Sequence, residues 1–363
     1  MSSPQRIEYL DGIRGLAILL VLLYHAYARW PQLVPFGDAW AAVPVFAWGW
    51  LGVQLFFLVS GFVILMTLET CHGLKDFLYR RWIRLFPAML LASLLLYLSA
   101  PLFPERPAGQ PSPGSLLPGL TFIDIKWFQF VLGWPERPLE GAFWSLYVEF
   151  KFYVFAGLVY FWRGRNALLL ALLAAHALSA ASITAAEIFP GRYTLAAAKA
   201  CSALGLTHFG WFAAGALFWL YHKHRDVRWF AAAVLMAALS APFVRKLDLA
   251  PLLPALLVTA VFALALASTR VQALLRQRVL LFLGFVSYPL YLVHENMLVA
   301  LTVKAGALWP AMPALLLPLM PAACVIVIAW LLARFGEPAL RALIVRHLPR
   351  PARAMPAAQE PRH

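Results

Sequence analysis

The sequence predicts an all-α fold, a polytopic bundle of transmembrane helices. Of its 363 residues, 63% are hydrophobic and 13% are charged, whereas soluble domains have roughly 45–50% apolar and about 25% charged residues. The apolar residues form long blocks, and a helix needs roughly 17–25 such residues to cross about 30 Å of hydrocarbon. These two observations exclude a soluble enzyme.

Ten apolar blocks predict ten membrane spans. In chain order they cover residues 12–29, 43–68, 85–103, 142–162, 166–182, 205–222, 229–244, 250–267, 279–303 and 308–333. The first block is too long for the core of a signal peptide, so we expect it to be an uncleaved span. Blocks five, seven and eight are short and rich in alanine, and prolines at 242, 251 and 254 are expected to kink or break the last two.

The distribution of basic residues predicts the orientation. The formal charge is +14, which would indicate nucleic acid in a soluble chain, but here the basic residues lie in short loops and no nucleic-acid partner is expected. They favour the segments on the N-terminal side of the membrane by 20 to 9. The positive-inside rule then places both termini in the cytoplasm, as expected for a multi-pass protein of the cell inner membrane.

Residues 1–346 are predicted to form one transmembrane domain, and residues 347–363 a disordered cytoplasmic tail rich in proline, arginine and alanine. The stretch 104–141 is an unusually long extracytoplasmic loop, and such loops are commonly functional. Cys71, Cys201 and Cys324 lie in separate regions without metal-ligand spacing. Neither a disulfide framework nor a metal site is implied.

The first span carries Arg14 and His25, and a charge at the centre of a bilayer costs at least about 2.5–3.5 kcal/mol. Eleven positions bring the two side chains to within about 20° of each other around the helix, with a rise of about 16 Å. They therefore share one face near opposite leaflets. A snorkelling arginine and a structural core histidine are the alternative.

The fourth span carries Ser145, Glu149 and Tyr153, spaced i, i+4 and i+8 along one stripe. We expect Glu149 to orient an imidazole or to take part in proton transfer, with His25 as its natural partner. The alternative is a structural ion pair of Glu149 with Lys151 or another helix.

The ninth span carries a second stripe, formed by Ser287, Tyr291 and His294 at i, i+4 and i+7. It is predicted to reach the same half of the bilayer as Glu149. The alternative is a polar seam that holds helices together.

A basic cluster opens the third span with Arg80, Arg81 and Arg84. Arg81 and Arg84 are i, i+3 neighbours, so their guanidinium groups can converge on one polyanion such as a phosphate, with Arg14 entering the same leaflet. A positive-inside signal alone is the alternative.

These motifs together resemble the membrane-bound acyltransferase-3 family over about residues 6–340. The resemblance rests on Arg14-x10-His25, Gly52 to Gly61, Arg81-x-x-Arg84, Phe143-Trp144-Ser145-Leu146-x-x-Glu149 and Ser287-Tyr288-x-x-Tyr291-x-x-His294. It implies about ten spans and transfer of an acyl group, commonly acetyl, from cytoplasmic acyl-CoA to a hydroxyl of an extracytoplasmic glycan or glycolipid. One departure is visible: where many members have two adjacent carboxylates, this chain has Glu149-Phe150.

The resemblance and the residue pattern together predict a division of labour across the bilayer. Arginines would hold the phosphates of acetyl-CoA, the co-substrate: Arg14, Arg80, Arg81 and Arg84. His25 would be the general base or, as a variant, a covalent acyl carrier, with Glu149 orienting it. His294 or Tyr291 would stabilise the oxyanion.

Acceptor contacts are expected from Trp144, Ser145 and Tyr153, with no metal involved. The rival prediction is a proton-coupled transporter, for which intramembrane His, Glu and Arg are equally expected. Transporters are commonly built from repeated halves, and the two halves of this sequence show no clear similarity.

Overall fold

The computed structural model describes residues 7–134, 136–244 and 246–348, and the regular elements in these ranges are helices. The α-helices are α1 (Glu8–Tyr27), α2 (Pro44–Ala47), α3 (Gly52–Leu68), α4 (Leu74–Ser99), α5 (Leu117–Thr121), α6 (Ile125–Leu132), α7 (Trp144–Ile188), α8 (Arg192–Leu204), α9 (Phe209–His224), α10 (Val227–Ser240), α11 (Leu252–Ala267), α12 (Thr269–Leu275), α13 (Arg278–Leu308), α14 (Leu319–Leu331) and α15 (Glu337–His347). A π-helical turn, Leu332–Gly336, joins the last two. The predicted all-α class is confirmed.

Six helices are long and apolar enough to cross a membrane, or eight if each of two bent pairs is one span. The bend is 70° between α8 and α9 and 112° between α11 and α12. The structure thus supports six to eight candidate spans among the described residues, and the ten expected spans are not confirmed. The orientation of the termini stays a prediction.

The number of candidate spans is below the predicted ten because some predicted spans share one helix and others are too short. The predicted fourth and fifth spans both lie in α7 and count as one candidate span, although Gly164 between them has a non-helical backbone (φ 80°, ψ −174°). The apolar segment Val227–Phe243, at the predicted seventh span, is shorter than a full crossing helix. The predicted tail overlaps the end of α15 at His347, and residues 349–363 lie outside the described ranges.

Glycines set how closely the central helices pack. A Cβ at Gly15 of α1 would lie 2.0 Å from the carbonyl oxygen of Leu280 in α13, and one at Gly61 of α3 would lie 2.1 Å from that of Phe212 in α9. Small residues at helix contacts permit this close backbone approach in membranes. As a result, α1 and α13, which carry the polar residues of interest, lie directly against each other.

Aromatic packing joins the remaining helices to this centre. Phe152 of α7 stacks on Phe212 of α9 with a centroid distance of 3.9 Å, and both side chains are buried. Together with α3, these helices form the apolar core around the polar residues.

The long connection between α4 and α7 is anchored on α13 through Asn296. The amide nitrogen of Asn296 donates to the carbonyl oxygen of Leu139 (2.9 Å), and its amide oxygen accepts from the backbone N–H of Ala108 (3.1 Å). Buried Arg106 donates to the same Leu139 carbonyl and to that of Leu96. The connection therefore lies next to Glu295, the neighbour of Asn296.

Candidate active site

Two cavities lie among the central helices, and both are lined by Val53 and Tyr291. The first, here called the arginine cavity, encloses about 690 Å³ including its opening. Its polar lining comprises Arg14, Ser60, Arg81, Arg84, Ser145, Glu149, Tyr153, Ser287, Tyr288 and Tyr291. The second, the histidine cavity, encloses about 1300 Å³ including its opening. Its polar and aromatic lining comprises Tyr24, His25, Arg29, Trp30, Trp50, Gln54, Trp144, His208, Tyr291 and Glu295.

Two histidines from different helices are in contact at the wall of the histidine cavity. His25 Nδ1 lies 3.2 Å from His294 Nε2, and the ring centroids are 4.6 Å apart in an edge-to-face arrangement. The structure thus brings together His25 of α1 and His294 of α13, which the sequence analysis assigns to one catalytic site. The pair is reachable from the histidine cavity because His25 lines it.

The hydrogen-bond partners assign the protons of the two imidazoles. His294 Nδ1 lies 2.9 Å from the carbonyl oxygen of Tyr291, so it donates, and the neutral ring has an acceptor at Nε2. His25 Nδ1 lies between that acceptor and the carbonyl oxygen of Val21 at 2.9 Å, so it is also a donor. The lone pair of neutral His25 is then on Nε2, the atom that can take up a proton.

The acidic partner of His25 is Glu295. Its Oε1 lies 3.6 Å from His25 Nε2 and accepts a hydrogen bond from the indole N–H of Trp30 at 3.1 Å. A carboxylate at this place stabilises the imidazolium that forms when Nε2 takes up a proton.

Glu149, which the sequence predicts to be the partner of His25, lies in the arginine cavity instead. Its Oε1 accepts hydrogen bonds from Ser60 (2.7 Å) and Tyr153 (2.5 Å). The predicted i, i+4 neighbours Glu149 and Tyr153 are in contact. The remaining partner of the carboxylate is Ser60 of α3, and not His25. The expected pairing of Glu149 with His25 is therefore wrong in this structure.

The four arginines predicted to bind phosphate separate into two groups. Arg14, Arg81 and Arg84 line the arginine cavity. Arg80 pairs with Asp76 on its own helix at 3.0 Å and does not line that cavity. The difference follows from helix geometry, because i, i+1 neighbours point about 100° apart.

Arg81 is the arginine best prepared for an anion. Its side chain is buried, and one nitrogen donates to Thr67 Oγ1 at 3.2 Å. Among the described residues, Nε and Nη1 have no hydrogen-bond partner. Two orphaned guanidinium nitrogens at a cavity wall suit a phosphate, which accepts such bonds in pairs.

The three residues predicted to contact the acceptor also separate. Trp144 lines the histidine cavity, whereas Ser145 and Tyr153 line the arginine cavity. Ser145 Oγ donates to the hydroxyl of Tyr291 at 2.7 Å, which joins the α7 stripe to the α13 stripe. Tyr291 thus lies at the boundary of the two cavities.

Several residues of the site lack a recognisable sequence signal. Glu295 directly follows His294, so it does not share the i, i+4, i+7 spacing of the stripe Ser287, Tyr291 and His294. Gly141 belongs to the long connection, and a Cβ there would lie 2.6 Å from a Glu295 carboxylate oxygen, so its lack of a side chain gives that carboxylate room. The neighbouring Glu140 accepts from the backbone N–H of Asn296 at 3.1 Å. Burial, and then the proximity of Glu295, raises the pKa of Glu140.

A family model described as an acyltransferase domain matches residues 7–334. This match confirms the resemblance drawn from the motifs. No solved structure matches the chain.

Curated relatives match a shorter part. YrhL of Bacillus subtilis, provisionally named as a peptidoglycan O-acetyltransferase, is 30% identical over 161 residues, which cover 41% of this chain and 23% of the relative. The peptidoglycan O-acetyltransferase OatA of Listeria monocytogenes is 28% identical over 42% of this chain and 24% of the relative. The O-acetyltransferase OatA of Staphylococcus aureus is 26% identical over 44% of this chain and 25% of the relative. The matches thus span about a quarter of the length of these relatives.

Proposed function

Because the chain belongs to the acyltransferase-3 domain family, we propose that it is an integral-membrane O-acyltransferase of a glycan. The donor is acyl-CoA, with acetyl-CoA as the first candidate, and the acceptor is a hydroxyl on the opposite side of the membrane. Relatives named as peptidoglycan O-acetyltransferases support an acetyl group and a cell-wall glycan. The observation that carries the proposal is the contact of His25 with His294, at the wall of an aromatic cavity that shares Val53 and Tyr291 with an arginine-lined cavity.

The arginine cavity suits the donor. CoA carries phosphates that are recognised by guanidinium groups, and its flexible arm ends in the thioester. Arg81 offers two unpartnered nitrogens within the described residues, and Arg14 and Arg84 line the same space. In our proposal these arginines hold the phosphates on the cytoplasmic side, and the thioester extends towards Tyr291.

The histidine cavity suits the acceptor. His25 Nε2 takes the proton of the acceptor hydroxyl, and the hydroxyl oxygen attacks the thioester carbonyl carbon. Since Ser145 donates to the Tyr291 hydroxyl, the phenolic proton of Tyr291 is available to the developing oxyanion. The carbon–sulfur bond then breaks, the ester is released, and the CoA thiolate takes the proton back from His25.

Glu295 and His294 orient His25, and Glu295 stabilises its protonated form. Glu295 stabilises the transient imidazolium across the 3.6 Å contact, and His294 fixes the ring by accepting from Nδ1. Buried positioning groups of this kind keep the base in the productive tautomer.

The test uses sealed inverted membrane vesicles that contain the chain, with radiolabelled acetyl-CoA added to the exposed cytoplasmic face. We expect label in a glycan ester that mild alkali releases, and only when the chain is present. A folded chain that consumes no acetyl-CoA with peptidoglycan strands as acceptor would overturn the proposal. Proton movement without acetyl-CoA consumption would instead support the rival transporter.

A further inference from the structure

The histidine cavity carries two buried polar atoms that have no hydrogen-bond partner among the residues the structure describes. They are Oε1 of Gln54 and Nδ1 of His208. Gln54 is 1% exposed and His208 is 9% exposed, and both line this cavity. Buried polar side-chain atoms are nearly always satisfied, so a pair of orphans on one cavity indicates a polar ligand.

The two side chains belong to neighbouring parts of the cavity wall. Gln54 lies in the first turn of α3, and Phe57, one turn further along, packs against His208 with a centroid distance of 5.4 Å. His208 ends the 3-10 turn before α9 and also packs against Trp144 at 5.1 Å. Gln54, His208 and Trp144 all line the histidine cavity and give it one aromatic face and two unpartnered polar atoms.

The chemistry of this surface indicates the class of ligand. The Gln54 carbonyl oxygen only accepts hydrogen bonds, and neutral imidazole offers one acceptor and one donor. Its partner must therefore carry donors, which a hydroxylated sugar ring has and a fully ionised phosphate lacks. Trp144 is 39% exposed and presents an apolar face suited to the C–H face of such a ring.

We infer that Gln54, His208 and Trp144 form the subsite that binds the sugar ring of the acceptor and selects the hydroxyl presented to His25. This inference rests on the proposed function and adds the residues of the acceptor site. All three line the cavity that also holds His25, whereas none of them lines the arginine cavity. They act on acceptor binding and not on donor binding.

The experiment measures acetyl transfer by the purified full chain in proteoliposomes, with acetyl-CoA as donor and the disaccharide N-acetylglucosaminyl-N-acetylmuramic acid as acceptor. Gln54→Leu and His208→Phe remove the polar atoms and retain the size of the side chains. We expect each to raise the acceptor KM roughly 3- to 10-fold, the effect of one lost hydrogen bond. The KM for acetyl-CoA should not change.

His176→Phe is the matched control. His176 is likewise buried with an unpartnered Nδ1 within the described ranges, but it packs against Phe243 and lines neither cavity. Its substitution should leave both KM values unchanged. Gln54→Glu, which keeps an acceptor oxygen, should restore part of the acceptor affinity lost in Gln54→Leu.

Two failures are distinguishable. A wild-type chain that transfers no acetyl group to the disaccharide contradicts the proposed function itself. A wild-type chain that transfers acetyl, combined with unchanged acceptor KM in both variants or with an equal rise in the KM for acetyl-CoA, overturns only the subsite.

Discussion

The arginine cavity and the histidine cavity differ in how they treat charge, although α1, α3, α7 and α13 contribute residues to both. The arginine cavity has three guanidinium groups, and Arg81 keeps two nitrogens unpartnered among the described residues. The histidine cavity has three tryptophans, an amide and two imidazoles, and its two charged residues are of opposite sign, Arg29 and Glu295. An excess of guanidinium groups suits a polyanionic donor, whereas aromatic faces beside an amide and imidazoles suit a hydroxylated acceptor.

Tyr291 lines both cavities and connects them. Its hydroxyl is held by Ser145, and its carbonyl oxygen fixes the tautomer of His294. In the proposed mechanism one residue therefore supplies the oxyanion donor and also orients the imidazole pair. The two cavities differ in their charged residues but share Tyr291 in their walls.

His25→Ala breaks the histidine side of the comparison and should have the largest effect. Loss of a general base lowers kcat by about 10²–10⁴-fold, while the arginine cavity is left unaltered. Acetyl transfer to peptidoglycan strands gives kcat, and filter binding of radiolabelled acetyl-CoA gives donor affinity. Transfer at the wild-type rate, or a loss of acetyl-CoA binding equal to the loss of transfer, would contradict the assignment of His25 as the base.

Arg81→Met breaks the arginine side. Hydrogen bonds to charged groups are worth about 1.5–3 kcal/mol, so the KM for acetyl-CoA should rise roughly 10- to 100-fold with little change in kcat. Arg80→Met is the matched control, since Arg80 precedes Arg81 on the same helix but pairs with Asp76. In steady-state kinetics with acetyl-CoA as the varied substrate, the KM of Arg81→Met should exceed that of Arg80→Met by at least about fivefold.

Equal effects of the two arginine variants would show that overall positive charge, and not the geometry of Arg81, holds the donor. Size-exclusion profiles of both variants check that the bundle remains folded. This check is needed because Arg81 also donates to Thr67, which joins the ends of α3 and α4.

Sequence periodicity predicted the helical class and most of the polar stripes, because both depend on spacing within one helix. Ser145, Glu149 and Tyr153 do form one stripe, and Tyr153 does contact Glu149. Spacing does not determine the number of spans where helices bend. The chain changes direction at Gly164, between Arg163 and Arg165, and again at the 70° bend between α8 and α9.

Pairing between helices was the part that the sequence did not determine. Glu149 and Glu295 are both intramembrane carboxylates, and either could pair with His25 on helix spacing alone. The structure resolves this through the close packing of α1 on α13, where Gly15 and Gly284 admit the neighbouring backbone. That contact brings Glu295 to His25, whereas Ser60 of α3 takes Glu149.

The two carboxylates provide the finest test of the comparison, with the smallest expected effect. Glu295→Gln keeps an oxygen that can accept from Trp30 but removes the charge that stabilises protonated His25. Kcat should fall about tenfold, equivalent to about 1.4 kcal/mol of transition-state stabilisation, with the KM for acetyl-CoA unchanged.

Glu149→Gln keeps an oxygen for Ser60 and Tyr153 and removes a charge from the arginine cavity, so its kcat should stay within about threefold of wild type. The reverse order, with Glu149→Gln the slower enzyme at saturating donor and acceptor, would mean that Glu149 acts on the imidazole during turnover and that the helices rearrange to allow it.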